Sequence, residues 1–203
     1  MKPNKKVIGL TGNIASGKST VSRYLIEKGY KLIDADLVAR EVVEVGSEGL
    51  ASVVENFGME ILNDDGSLNR KKLGNIVFSD DNKLSRLNNS LHPLIRNEIL
   101  KQIDISTNRI IFIDAALLYE TGLDKIVDEV WLVVLDDGLQ LDRLMKRDNI
   151  DKSSALNRID SQGSNKSKIK KADIIIMNNS DVEDLYDKVD EILNVMRLDK
   201  AKS

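Results

Sequence analysis

The sequence predicts an α/β protein built on a five-stranded parallel sheet, and three observations lead there. Short apolar runs recur at residues 7–11, 31–33, 109–113, 130–135 and 174–177. Stretches of helical periodicity separate them, so successive strands need crossover connections and run parallel. The runs are continuously apolar rather than alternating, as strands are when helices cover both faces of their sheet.

Each element has its own signal. A helix is expected over 20–28, with Val21, Tyr24, Leu25 and the Lys28 stem on one side and Gly29 ending it. A second is expected over 37–45, ended by Gly46, and helical spacing continues over 47–57 and 93–103. Asn63-Asp64-Asp65-Gly66 reads as a turn. Pro93 suits a first helical residue, which makes His92, the single histidine, a candidate cap. The span 37–107 is far longer than one crossover requires and is expected to form a helical insertion beside the sheet. Helical spacing over 138–162 followed by the polar, basic run from Ser164 to Lys171 reads as a mobile hairpin, a lid at about 139–170. The stretch 181–196 closes the chain as an amphipathic helix burying Val182, Leu185, Val189, Ile192 and Leu193. Residues 1–203 are thus expected to form one domain carrying an insertion and a lid.

Composition narrows the partners. With 203 residues the chain is long enough for one well-buried core. Lys and Arg number 30 against 33 Asp and Glu, a net charge of −3, so no global field would gather nucleic acid or an anionic membrane. A small-molecule partner is expected. The absence of cysteine excludes disulfides and thiolate metal sites and fits a cytoplasmic setting. No apolar run approaches the roughly 20 residues that cross a bilayer. The basic start has its apolar run broken by Gly9 and does not read as a signal peptide.

The most specific local signal follows the first strand. Gly12-Asn13-Ile14-Ala15-Ser16-Gly17-Lys18-Ser19 fits G-x-x-x-x-G-K-S between an apolar strand and a helix. Glycines let the backbone wrap phosphate oxygens, successive N–H groups turn inward, and the helix directs its positive end at the same anion. In this reading Gly12 to Thr20 hold the phosphates of a nucleotide, Lys18 reaches the β and γ groups, and the Ser19 hydroxyl binds Mg²⁺. A strand-to-helix turn that binds nothing is the alternative. The motif names a nucleotide but no reaction.

Leu32-Ile33-Asp34-Ala35-Asp36 comes at the carboxyl end of the second expected strand, the edge that faces ligands in open parallel sheets. If the chain is still extended there, Asp34 and Asp36 share one side and offer a base to an acceptor hydroxyl. The bland alternative is equally open: one of them caps the next helix, and Asp36 with Arg40 forms an i, i+4 surface pair.

In order, GLTGNIASGKST, DADLVAREVV, LHPLI, DAALLYE, QLDRLMKRD with ALNRIDSQ, and ADIIIMNN resemble the motif series of dephospho-CoA kinases over most of the chain. The resemblance implies a phosphate-loop fold of three layers and transfer of phosphate from ATP, with Mg²⁺, to the ribose 3′-hydroxyl of dephospho-CoA. It implies Asp36 as base and Arg40 beside the acceptor. His92 matches the family's His-Pro pair on the substrate side. Asp114, following the run 109–113, stands where many phosphate-loop proteins place the carboxylate near Mg²⁺, directly or through water, and is also a candidate for substrate binding; an ordinary helix cap is its alternative. Arg143, Arg147 and Arg158 would close over the transferring charge, with Gln162 a weaker member; a solvated helix face is their alternative, since Asp142, Lys146 and Asp148 interleave. Four positions depart from the family's pattern: Asn13, Ala15 and Ser180 stand where glycines are usual, and Ala116 where proline is. A positive φ at Asn13 or Ala15 would carry a cost, less at Asn. Two rival readings remain at this stage, a kinase of nucleoside monophosphates and a regulator that senses ATP without transferring phosphate.

Overall fold

The computed structural model describes residues 5–161 and 165–200. The chain divides into two compact units, Met1–Leu32 with Asn108–Ser203, and Ile33–Thr107.

Five strands, β1 (Lys6–Gly12), β2 (Lys31–Asp34), β3 (Ile110–Asp114), β4 (Glu129–Val134) and β5 (Ile174–Met177), form a sheet of order β2-β3-β1-β4-β5. Registers are parallel, with Leu10 of β1 opposite Asp114 of β3 and Trp131 of β4. Because β3 and β4 lie on opposite sides of β1, the winding direction reverses around it. In an open parallel sheet that reversal leaves a crevice beyond the strands' carboxyl ends. The loop after β1 and the end of β3 both reach it.

In the first unit the core follows the expected runs. Ile8, Leu10, Phe112, Trp131 and Val133 of the sheet are buried together with Val21 and Leu25 of α1 (Lys18–Glu27). The sheet's Phe112 and Trp131 rings meet edge to face at 5.2 Å. Burial of each such side chain contributes about 1.5–3 kcal/mol, so the crevice has a stiff floor. Gly29, at φ 84°, ends the turn after α1 as its position predicts.

In the second unit Val43, Val53, Phe57, Ile61, Leu73 and Val77 form a separate core. They come from the turn after α2 (Ala35–Glu41), α3 (Glu48–Phe57), a 3-10 turn at Met59–Ile61, and α4 (Arg70–Val77). Two expectations are corrected here. The helix expected over 37–45 begins at Ala35 and stops at Glu41; Ser47 Oγ donates to the Val42 carbonyl at 2.8 Å, tying down the turn that replaces its last part. The helix expected to start at Pro93 is α5 (Asp81–Ile105), which starts at the Asp80 cap and carries Pro93 inside it. Pro93 cannot donate to the Asn89 carbonyl, and both residues are exposed.

The stretch expected to be helical over 138–162 is two helices, α6 (Asp137–Asp148) and α7 (Lys152–Asp160), divided at Asn149 with φ 51°. Asp151 caps α7 by accepting from Ser154 N–H at 2.7 Å. Asn tolerates the left-handed conformation and Asp prefers the cap, so the break has a local cause. The run read as a hairpin contains a short helix, α8 (Asn165–Ile169), whose Lys168 is buried. Gln162 lies outside the described residues. The last helix, α9 (Val182–Lys200), buries Leu185, Val189 and Leu193 as expected, while Val182 is exposed rather than buried.

Candidate active site

The loop between β1 and α1 closes on itself through Ser16 N–H donating to the Asn13 carbonyl at 3.0 Å. Gly17 takes φ 95°, and a Cβ there would collide with the Asn178 side-chain amide. Gly12 is needed for a different reason: its Cβ would lie 2.5 Å from Ser16 Oγ and 2.7 Å from the Val133 carbonyl. Of the two substituted positions, Ala15 has φ 61°, whereas Asn13 is absent from the left-handed residues. The strain therefore falls on the residue less suited to bear it, at about 1–2 kcal/mol.

Three buried side chains from distant parts of the first unit brace this loop. Gln140 of α6 donates to the Ile14 carbonyl at 2.9 Å, and Asn178, just after β5, donates to the Ser16 carbonyl at 2.8 Å. Lys168 of α8 donates to Asn13 Oδ1 at 3.0 Å. In a trans peptide the carbonyl and the following N–H point in opposite directions. Holding the oxygens of Ile14 and Ser16 thus aims the N–H groups of Ala15 and Gly17 the other way. The brace fixes the direction of these two N–H groups. The sequence alone assigned none of these three residues a role: Gln140 opens the QLDRLMKRD segment and Asn178 lies in ADIIIMNN, while Lys168 falls in the basic run read as a hairpin.

Lys18, the first residue of α1, donates to Asp114 Oδ1 at the end of β3. Ser22 Oγ donates to Asp114 Oδ2 at 2.5 Å, so both carboxylate oxygens are occupied. Ser22 is a further residue the sequence did not flag. Ser19 is exposed and Thr20 half-buried at the head of α1.

Beside the loop opens a cavity of about 450 Å³ lined by Ala15, Gly17, Thr20, Arg143, Arg147 and Ser180, among others. Arg143 donates to the Ser180 carbonyl at 3.2 Å. Arg147 and Arg158 both pair with Asp148, at 2.8 and 2.7 Å. The guanidinium of Arg147 and then that of Arg158 hold the Asp148 carboxyl below its usual 3.8. The structure therefore puts Arg143 and Arg147 on the same cavity as the loop and ties Arg158 to Arg147 through one carboxylate.

The remaining candidates belong to the second unit. Asp34 is the cap of α2, its Oδ1 accepting from Asp36 and Leu37 N–H at 2.9 and 3.0 Å. The chain is already helical at Asp36, so the two carboxylates do not share a strand face. Asp36 stands exposed in the first turn and Arg40 exposed in the last. His92 is half-buried in the middle of α5 and caps nothing; burial pushes its imidazole below the ordinary 6.5.

The sequence model for dephospho-CoA kinase matches residues 6–184. The chain belongs to the dephospho-CoA kinase family. That family phosphorylates dephospho-CoA to CoA in the last step of CoA biosynthesis, which makes the protein a transferase with a nucleotide-binding phosphate loop. A dephospho-CoA kinase of Fusobacterium nucleatum is 45% identical over 184 residues, 91% of this chain and 95% of its own. Among solved structures, dephospho-CoA kinase from Campylobacter jejuni is 30% identical with a TM-score of 0.73, covering 98% of this chain and 100% of its own. The protein TT1252 from Thermus thermophilus is 29% identical with a TM-score of 0.81, covering 94% and 97%. Within a dephospho-CoA kinase, departures from the usual glycines now have local consequences: Asn13 supplies an acceptor for Lys168, and Ala15 stores strain.

Proposed function

We propose that ATP is the donor, bound through the braced loop, and that its γ-phosphoryl passes to the ribose 3′-hydroxyl of dephospho-CoA. The observation that carries this is the loop itself, whose backbone donors are preset by Gln140 and Asn178 and whose Lys18 stands at the head of α1. Phosphoryl transfer asks the protein mainly for positioning and charge. Lys18 exchanges its bond to Asp114 for the β and γ oxygens of ATP. Asp36 takes the proton of the 3′-hydroxyl as the new P–O bond forms and the bond to the β-phosphate oxygen breaks, leaving ADP. Arg40 and His92 hold the acceptor. Arg143 meets the charge developing in transfer, Arg147 the nucleotide and Arg158 the acceptor.

Mg²⁺, when bound, neutralises charge between the β and γ phosphates. The exposed Ser19 hydroxyl is the hard oxygen donor such an ion prefers. Asp114 already accepts from Lys18 and Ser22, so it would serve the ion through water. No trio of His, Cys, Asp or Glu fit for a metal occurs among the described residues, and Mg²⁺ asks for few protein ligands beside substrate phosphates.

Residues 37–107 act in this reading as the acceptor-binding region and 139–170 as a lid that keeps water from the γ-phosphoryl. The enzyme works on small molecules in the cytoplasm, with no nucleic-acid or membrane partner. Supporting this is the net charge of −3, which sets up no global field for nucleic acid or an anionic membrane.

The test is substitution of the base. Asp36→Asn should lower kcat by roughly 10²- to 10⁴-fold while ATP affinity holds. An unchanged kcat removes Asp36 from the base role, and no ADP formed above the acceptor-free rate by wild type with Mg²⁺ removes the reaction.

A further inference from the structure

The mechanism uses none of Lys168, yet its side chain is only 6% exposed. A buried ammonium is costly unless bonded and balanced. Lys168 Nζ has both: Asn13 Oδ1 at 3.0 Å and Glu120 Oε1 at 3.4 Å. Asn13 is the second residue of the phosphate loop, and its own carbonyl accepts the bond that closes the loop's first turn. Glu120 ends the DAALLYE segment after β3, and its neighbour Tyr119 lies under Lys171, whose ammonium is 5.3 Å from the ring centroid. Two consecutive residues after β3 thus meet two cations, one in α8 and one in the turn after it.

We propose that Lys168 is a positioning residue for ATP: it fixes the start of the phosphate loop through the Asn13 amide, with Glu120 balancing its charge. The proposal rests on the reading of this loop as the ATP phosphate site. Its physical basis is that a charged donor's hydrogen bond is stronger than a neutral one and, in a dry setting, keeps its geometry. The link also depends on this chain's own substitution, because glycine at position 13 would leave Lys168 paired with Glu120 but with no side-chain oxygen in the loop to hold.

A two-residue cycle tests it on the full-length enzyme. Asn13→Ala and Lys168→Met should each weaken ATP binding by about tenfold in calorimetry. Both should raise KM for ATP with little change in kcat or in KM for dephospho-CoA. The double variant should be no weaker than the poorer single, since both remove one bond. Asn13→Ala leaves the ammonium paired with Glu120, so it reports on the bond even if Lys168→Met fails to fold. Unchanged ATP affinity in Asn13→Ala, or single losses that add in the double variant, overturns the proposal. Wild-type enzyme that binds no ATP would overturn the phosphate-site reading instead.

Discussion

The phosphate loop and the first helix of the second unit are both proposed to handle a substrate, and they are built on opposite plans. The loop is held by Gln140, Lys168 and Asn178, each no more than 5% exposed. Along α2 the corresponding groups stand in solvent: Asp36 and Arg40 are exposed, and among the described residues neither side chain makes a hydrogen bond or ion pair. Asp34 fixes the start of α2 through its cap. A triphosphate presents the same charges every time, so donors can be preset for it. On the proposed acceptor side the charged groups are exposed, which in this reading leaves binding energy to order them.

Gly17→Ala strikes the rigid side hardest. The left-handed backbone costs about 1–3 kcal/mol for a side-chain residue. Displacing the Asn178 amide removes a buried bond worth about 1 kcal/mol more. Melting should fall by on the order of 10 °C. A melting temperature within a degree of wild type would mean that the loop is not clamped by Asn178.

Asp34→Ala is the matching break on the other side and should cost about 1 kcal/mol, the usual loss of a cap. Because α2 then frays at Asp36, KM for dephospho-CoA should rise while KM for ATP holds. Equal rises would erase the contrast between the two regions.

These two variants also mark what could be read from the sequence. Gly12, Gly17, Lys18 and the five strands were legible because each depends on its immediate neighbours. The cap was not, since Asp34 and Asp36 are both good caps and only the fold at Ala35 chooses between them. Pro93 misled for a similar reason: its local preference for a helix start was outweighed by the apolar face of a helix already begun at Asp80. The bonds of Gln140, Lys168 and Asn178 to the loop were not legible, because they reach it across 126, 155 and 162 residues of chain. Membership of the family resolves the two rival readings that the local motif left open.

Ala15→Gly should act in the opposite sense to Gly17→Ala. Relief of the left-handed strain is worth about 1–2 kcal/mol. The added freedom of the unfolded chain takes back about 0.4–1 kcal/mol. A net gain of roughly half a kcal/mol is expected by denaturant titration. A loss would mean that Ala15 makes contacts whose value exceeds its backbone strain.

The smallest effect belongs to His92 and tests how far the second unit is open to solvent. Burial lowers its folded pKa below 6.5, so as pH falls the unfolded chain binds the proton first. Its contribution to stability is complete above about 6.5 and is lost as pH drops through the folded value, below which both states are protonated. The lowered carboxyls of Asp65, Asp148, Asp151 and Asp184 carry the same sign but act below 3.8, outside that window. Melting temperatures between pH 7.5 and 5 should therefore decline more steeply for wild type than for His92→Gln. Parallel declines would show that water reaches the imidazole freely in the folded protein, and that the middle of α5 is as open as Asp36 and Arg40.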